Sequence, residues 1–516
     1  MGNSHGHNGS SKHKSSSQSS TDSTSRKSFS KSISVTDIQD KHFTNFESVT
    51  KLAKILSNKT LAEEHVSGIT LNVFTKYLFP RYQVLALKLF NYFQKLSKSN
   101  KDYLDTHAFT EQCAKYLQVL DDSTMSDILV KMFSIENQDN NNETITPDLL
   151  KMLLMSSYHI SMDHYSEGPQ SCYFLHQTLK AIVDSCFHVK NSLSTSYVSH
   201  WLQSNCPRLL QPVHRFIVHT LATAYRTLQE KNEIDLVTGL DSNDSFEQGK
   251  QRPSLELATP VLEKTSPFAG NSTSLANGKN TPPYTLNMSL SWLLASALPP
   301  LYSMPQKANS PEGSSNGLSS MVFLSKMLSS IPSHWVLIYD SNQHGLGANR
   351  FLHHTLAYKG PTLVMLKTKE ESVFCVACPD EWHESHQYWG REESALYQLL
   401  PKFSLMEKGP KMLYLNFTAR GYPHGLRVGS NPRSPVISID GGFEKIEYSK
   451  IPDKLLRVEV WGCGDSVSRD RQLEVKKWEV REAEKQRVVK LSAADWIDHP
   501  DRYLLELAGR PQYATK

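Results

Sequence analysis

Long apolar runs are missing from this 516-residue chain. The most hydrophobic stretch, Leu286–Tyr302, is interrupted by Asn287, Ser289, Ser291 and Ser296 and ends at Pro299–Pro300. A membrane-spanning helix needs about 20 mostly apolar residues, so this stretch reads as a buried helix. Residues 1–36 are polar and lack the apolar core of a secretory signal. Cysteine is scarce: seven residues, odd in number and scattered, which points away from a disulfide framework and towards a reducing, intracellular compartment. A surplus of one charge is missing as well. The formal net charge is +4, and Lys12, Lys14, Arg26, Lys27 and Lys31 against Asp22 place that excess in the first 36 residues. The remainder is neutral and offers no broad basic face for nucleic acid. Also absent are a Walker loop and an H-E-x-x-H helix, each of which would announce a known catalytic chemistry.

What is present falls into segments. Residues 1–41 are Ser-rich and expected to be disordered, because they have too little apolar surface to offset the entropy of ordering. They open with Met1-Gly2-Asn3-Ser4-His5-Gly6. Gly2 is the prerequisite for N-myristoylation, although Gly6 stands where the usual pattern has Ser or Thr. One acyl chain anchors only reversibly, and the sparse basic residues from Lys12 to Lys31 supply a weak second attraction to an anionic surface.

Residues 42–236 show helix-period apolar residues and a fourfold echo: Ile69-TLNVFTKYL, Leu104-DTHAFTEQC, Ile145-TPDLLKMLL and Leu193-STSYVSHWL. Each begins with an aliphatic residue followed by a helix N-cap type, namely Thr70, Asp105, Thr146 and Ser194. EF-hand units read this way, with the aliphatic residue pairing two loops. Calcium chemistry does not follow. Ligand oxygens are needed at loop positions 1, 3, 5 and 12. Counting back from Ile145 those positions hold Gln138, Asn140, Asn142 and Leu149; counting from Leu104 they hold Ser97, Ser99, Lys101 and Ala108. A degenerate, metal-free EF-hand-like module is therefore expected, with a calcium-responsive module as an alternative.

Residues 237–284, rich in Ser, Asn, Gly and Pro, read as a linker, and Pro305–Ser320 as an inserted loop. Beyond them the period shortens to that of strands, at 334–339, 362–366, 373–377, 412–415, 436–439 and 456–461. Many short strands with few helices between them predict an antiparallel β-sandwich with peripheral helices over residues 285–465, and an α+β chain overall.

The same region carries motifs in a recognisable order: Trp335-VLIYDSNQHG-Leu346, Gly360-Pro361-Thr362-Leu363, Tyr388-Trp389-Gly390-REES, Tyr414-Leu415-Asn416-Phe417 and Val460-Trp461-Gly462. They resemble the TLDc domain family, and the Gly2 start, EF-hand-like half and C-terminal extension are similar to its lysosomal, mTOR-associated branch. The family-motif residues are His344, Gly345, Gly390, Glu393, Ser394, Trp461 and Gly462. The second glycine of the family's G-x-G-E-S is replaced here by Glu392. The resemblance implies a non-enzymatic protein without a cofactor. It would protect against oxidative stress, bind the vacuolar proton-pumping ATPase and support mTOR signalling from the cytoplasmic side of the lysosomal membrane.

Three other chemistries are legible. Cys375-x-x-Cys378 with His383 and His386 has zinc-like spacing, but thiols three apart on a strand point to opposite faces. His344, Glu393 and Ser394 hold the groups of a general base and a nucleophile, which leaves an enzyme or redox protein as an alternative; Glu393 equally suits the cap of a helix starting near Ser394. Finally, residues 466–516 read as a helical arm. Ser466–Leu491 has neither Gly nor Pro, interleaved charges, and few apolar residues with which to bury against its own domain. Within this arm, Trp478, Arg481, Lys485 and Trp496 are the expected partner-binding residues.

Overall fold

The computed structural model describes residues 35–98, 101–136, 143–163, 173–238, 284–303, 334–464 and 466–487, together with Leu504, Leu507 and Ala508. The first half is helical. Helix α1 (Val35–Glu64) leads into β1 (Ile69–Thr70), α2 (Leu71–Leu78), α3 (Gln83–Ser97), β2 (Tyr103–Leu104) and α4 (Thr106–Leu117). A second group follows: α5 (Asp122–Met132), β3 (Ile135–Glu136), β4 (Glu143–Ile145), α6 (Pro147–Met162), α7 (Tyr173–Phe187), β5 (Leu193–Ser194), α8 (Thr195–Asn205) and α9 (Gln211–Thr238).

The four echoed segments pair in twos. Ile69 lies opposite Leu104, and Ile145 opposite Leu193. Thr70, Asp105, Thr146 and Ser194 each stand at the N-cap of the following helix, with Ser194 Oγ accepting the Tyr197 N–H at 3.4 Å. Phe74, Phe109, Leu150 and Val198, five positions after the aliphatic residue, are all buried. One boundary differs from expectation: α1 begins at Val35, ahead of His42.

The second half opens with α10 (Met288–Ala297) and α11 (Pro300–Ser303), the buried helix expected from its composition. Asn287 caps α10 by accepting the Leu290 N–H at 3.0 Å. Then, among the described residues, come ten strands: β6 (Val336–Asp340), β7 (Thr362–Thr368), β8 (Val373–Cys378), β9 (Ala395–Leu400), β10 (Ser404–Lys408), β11 (Leu413–Asn416), β12 (Gly425–Val428), β13 (Ile437–Ile439), β14 (Lys445–Tyr448) and β15 (Ile451–Gly462). Between β6 and β7 lie a one-turn helix, Ser341–His344, and the helix Ala348–Thr355; the helix Ser466–Arg487 follows β15.

All pairings are antiparallel, in the order β10-β9-β8-β7-β15-β14-β13-β12-β11, with β6 also on β15. The long β15 joins two layers: Ile451–Lys454 pairs with β14, and Leu455–Gly462 with β7 and, towards its end, β6. The chain is α+β, and its sheet folds over as a sandwich. Strand β7 shows how the layers are filled. Val364 and Leu366 face Leu413, Leu426 and Ile439 of the other layer, whereas Leu363 and Met365 belong to the core formed with the helices. Side chains on a strand alternate faces, so this layer is buried on both sides.

Candidate functional site

Asp340 ends β6 fully buried, and Arg457 on the neighbouring β15 holds it in a two-point ion pair, Nε to Oδ1 at 3.1 Å and Nη2 to Oδ2 at 2.8 Å. The same guanidinium lies 2.9 Å from Oε1 of Glu459, which has no solvent exposure. Glu459 in turn accepts the Thr285 N–H, the Leu286 N–H at 3.1 Å and the Trp461 indole N–H at 3.1 Å. Tyr284 packs edge-on against Trp461, with the Arg457 guanidinium 5.8 Å from its ring centroid. Charges this deep persist only when paired and fully hydrogen-bonded. The triad ties the chain entering α10 to the central strand.

Asp340 also builds the next feature. Its Oδ1 accepts the Asn342 N–H at 3.0 Å, capping the one-turn helix, and its own N–H donates to Nδ1 of His344 at 3.2 Å. The His344 ring stacks on His354 at 4.0 Å between centroids and on Tyr339 at 5.8 Å. Gly345, at φ +85°, takes a left-handed turn that presents its carbonyl to the Tyr339 hydroxyl at 2.8 Å. Burial, then Lys476, holds the His344 imidazole below its usual range, with Arg350 adding to the effect. His354 is held down to about 4 by burial, then by His344, Lys476, His353 and Arg350.

Gly390, Glu393 and Ser394 lie elsewhere. Gly390 stands at φ +114°, and a Cβ there would sit 2.7 Å from Ser394 Oγ. The Glu393 carbonyl accepts the Tyr302 hydroxyl at 3.0 Å. Ser394 is fully buried. The expected helix near Ser394 is not formed: β9 starts at Ala395, so Glu393 caps nothing. His344 follows β6 and Glu393 precedes β9. These strands are four positions apart in the sheet, roughly 19 Å at about 4.8 Å per strand. The general-base pairing of His344 with Glu393 or Ser394 therefore lacks the hydrogen-bond reach it needs.

Cys375 packs with the helix-side core and Cys378 with the sandwich core, on opposite faces of β8. Burial pushes both thiols well above their usual range. They cannot share one tetrahedral ion. In the helical half, Lys101, itself at a ligand position of its loop, pairs with Asp105 at 3.2 Å, and Lys95 pairs with Glu143, whereas Gln138, Asn140 and Asn142 lie outside the described residues.

The C-terminal helix is seated by its first half. Gln472 is buried and donates to the His354 carbonyl at 3.5 Å, and Lys476 lies close enough to bias both stacked histidines. A polar seat of this kind differs from the expectation that so hydrophilic a helix buries little against its own domain. Beyond it Trp478 is 60% and Val480 58% exposed, Arg481 is exposed, and Lys485 pairs with Glu482 at 3.4 Å. Gly2 and Trp496 lie outside the described residues.

Trp461 and Gly462 finish β15. A Cβ at Gly462 would stand 2.6 Å from Tyr358 Cζ, and Tyr358 in turn accepts the Gly464 N–H at 2.7 Å where the C-terminal helix departs. Sequence reasoning missed Asp340, Arg457, Glu459 and Gln472. Residues 315–464 match the family model of the TLDc domain. The sandwich is a TLDc domain. The MTOR-associated protein MEAK7 of Mus musculus is 25% identical over 167 residues, covering 28% of this chain and 36% of that protein. The chain thus spans about a third of the curated relative it matches. Among the described residues, no helix is long and apolar enough to cross a membrane.

Proposed function

We propose that this TLDc protein is a non-enzymatic adaptor. Myristoylated Gly2 holds it reversibly at the lysosomal membrane, and it binds the vacuolar proton-pumping ATPase through the TLDc surface and the arm bearing Trp478, Arg481, Lys485 and Trp496. In this role it supports mTOR signalling. One observation supports the reading above the others: the helix Ser466–Arg487 is fastened near its start by Gln472 yet presents Trp478 and Val480 to solvent. Exposed aromatic and Arg side chains are the usual anchors of a protein interface. The mouse relative, an mTOR-associated protein by name, is consistent with this pathway.

The test is affinity purification of the full chain and of a form lacking 466–516, with the pump subunits quantified. The adaptor reading expects the pump to be lost with the arm and kept in Glu393→Ala. Retention of the pump without the arm, or a turnover activity abolished by Glu393→Ala, contradicts it.

A further inference from the structure

We propose that the stacked His344–His354 pair is a proton-sensitive seat for the C-terminal helix, closed while both imidazoles are neutral and opened by their protonation. The inference concerns the seat itself and stands whether or not the arm captures the pump.

Three geometric facts support it. The Nδ1 of His344 accepts the Asp340 N–H at 3.2 Å, which fixes a neutral tautomer protonated on Nε2; a proton on Nδ1 would leave two donors facing each other. The ring lies 4.0 Å from that of His354, and two imidazolium ions at this separation repel strongly. The helix rests on the same place, Gln472 bonding the His354 carbonyl and Lys476 adding a third positive charge. Among the described residues, the remaining groups facing the pair offset this repulsion only in part. Arg350, which donates to the His344 carbonyl at 2.7 Å, and His353, whose ring is 5.1 Å from that of His354, come from the helix Ala348–Thr355. On β6 stand Tyr339, whose hydroxyl is turned to Gly345, and Asp340, which favours a protonated His344 while sharing its charge with Arg457.

The sign follows from linkage. His354 titrates at about 4 with the helix seated; opening removes Lys476 and part of the burial and moves that value up towards the usual 6.5, so the open form binds more protons and gains population as pH falls below about 6.5. A full return to that value favours opening by about 30-fold at pH 5, and solvent screening at this partly exposed ring trims the expectation to about tenfold.

The test is hydrogen exchange of the full chain at pH 7 and pH 5, corrected for intrinsic rates and followed by mass spectrometry. Amides of 472–487 should exchange about tenfold faster at pH 5 while β7 and β8 keep their protection. His354→Gln retains the carbonyl that Gln472 uses, removes the titration and should flatten the response. Unchanged exchange in the wild type, parallel loss in β7 and β8, or an undiminished response in His354→Gln overturns the proposal. Should His354→Gln not seat the helix at pH 7, Lys476→Gln decides: removing that cation must shrink the acid response, and an undiminished one overturns it.

Discussion

Ser394 shows what a motif residue does once it is placed. Its hydroxyl is buried, has no hydrogen-bond partner among the described residues, and faces the spot where any side chain at position 390 would have to fit. An unpaired buried hydroxyl lowers stability, because it leaves water without replacement. Ser394→Ala should therefore hold or raise unfolding stability, by up to about 1 kcal/mol in chemical denaturation. Gly390→Ala should cost about 2 kcal/mol, since it combines a positive φ with an overlap. A large loss in Ser394→Ala would reveal a partner for the hydroxyl. The motif was legible as residues, but its purpose was not. Tyr302, which fastens the Glu393 carbonyl, belongs to a different element and a distant part of the chain.

Elements were legible where their pattern was strong. The aliphatic-then-cap echo marked the starts of four helices, because one buried aliphatic residue and one cap suffice for each; which aliphatic residues pair was left to the structure. All six strands read from composition are present, whereas β9, β10, β12 and β14 were not read. Those are short or rich in Leu, Gln, Glu and Lys, and only their place in the sheet makes them strands. The Asp340–Arg457–Glu459 triad was hidden for a related reason. Along β15, Arg457 and Glu459 alternate with Val458 and Val460 as a solvated face would, and nothing local says that Tyr284–Leu286 covers them. Removing one member leaves an uncompensated charge and stranded N–H groups. Glu459→Ala should cost about 3–5 kcal/mol, and Glu459→Gln, which keeps an acceptor oxygen, distinctly less. Chemical denaturation of the two variants checks the order. Equal, small losses would mean that water enters beside Arg457.

At the scale of the molecule, the helices and the sandwich share one core. Phe403, between β9 and β10, donates its N–H to the Ala181 carbonyl of α7 at 3.1 Å and packs against Trp201 of α8 and Tyr397 of β9. Tyr158 of α6 meets Trp292 of α10 edge-on, the hydroxyls of Thr178 and Ser289 lie 2.8 Å apart, and Arg208 reaches the Ala295 carbonyl at 2.7 Å. Buried apolar residues run without a break from Leu52 in α1 through Leu293 in α10 to Leu363 in β7. The linker-like composition of 237–284 suggests two bodies on a tether, because composition reports the connection and not the contact. A shared core makes the two halves unfold together. Hydrogen exchange across a denaturant series should show α6–α8 and β7–β9 losing protection at one midpoint. Phe403→Ala, costing about 3–5 kcal/mol, should lower that midpoint for both at once. Two separated midpoints, with only the sheet responding to the substitution, would mean that the helices stand on their own and that the contact through Phe403 is dispensable.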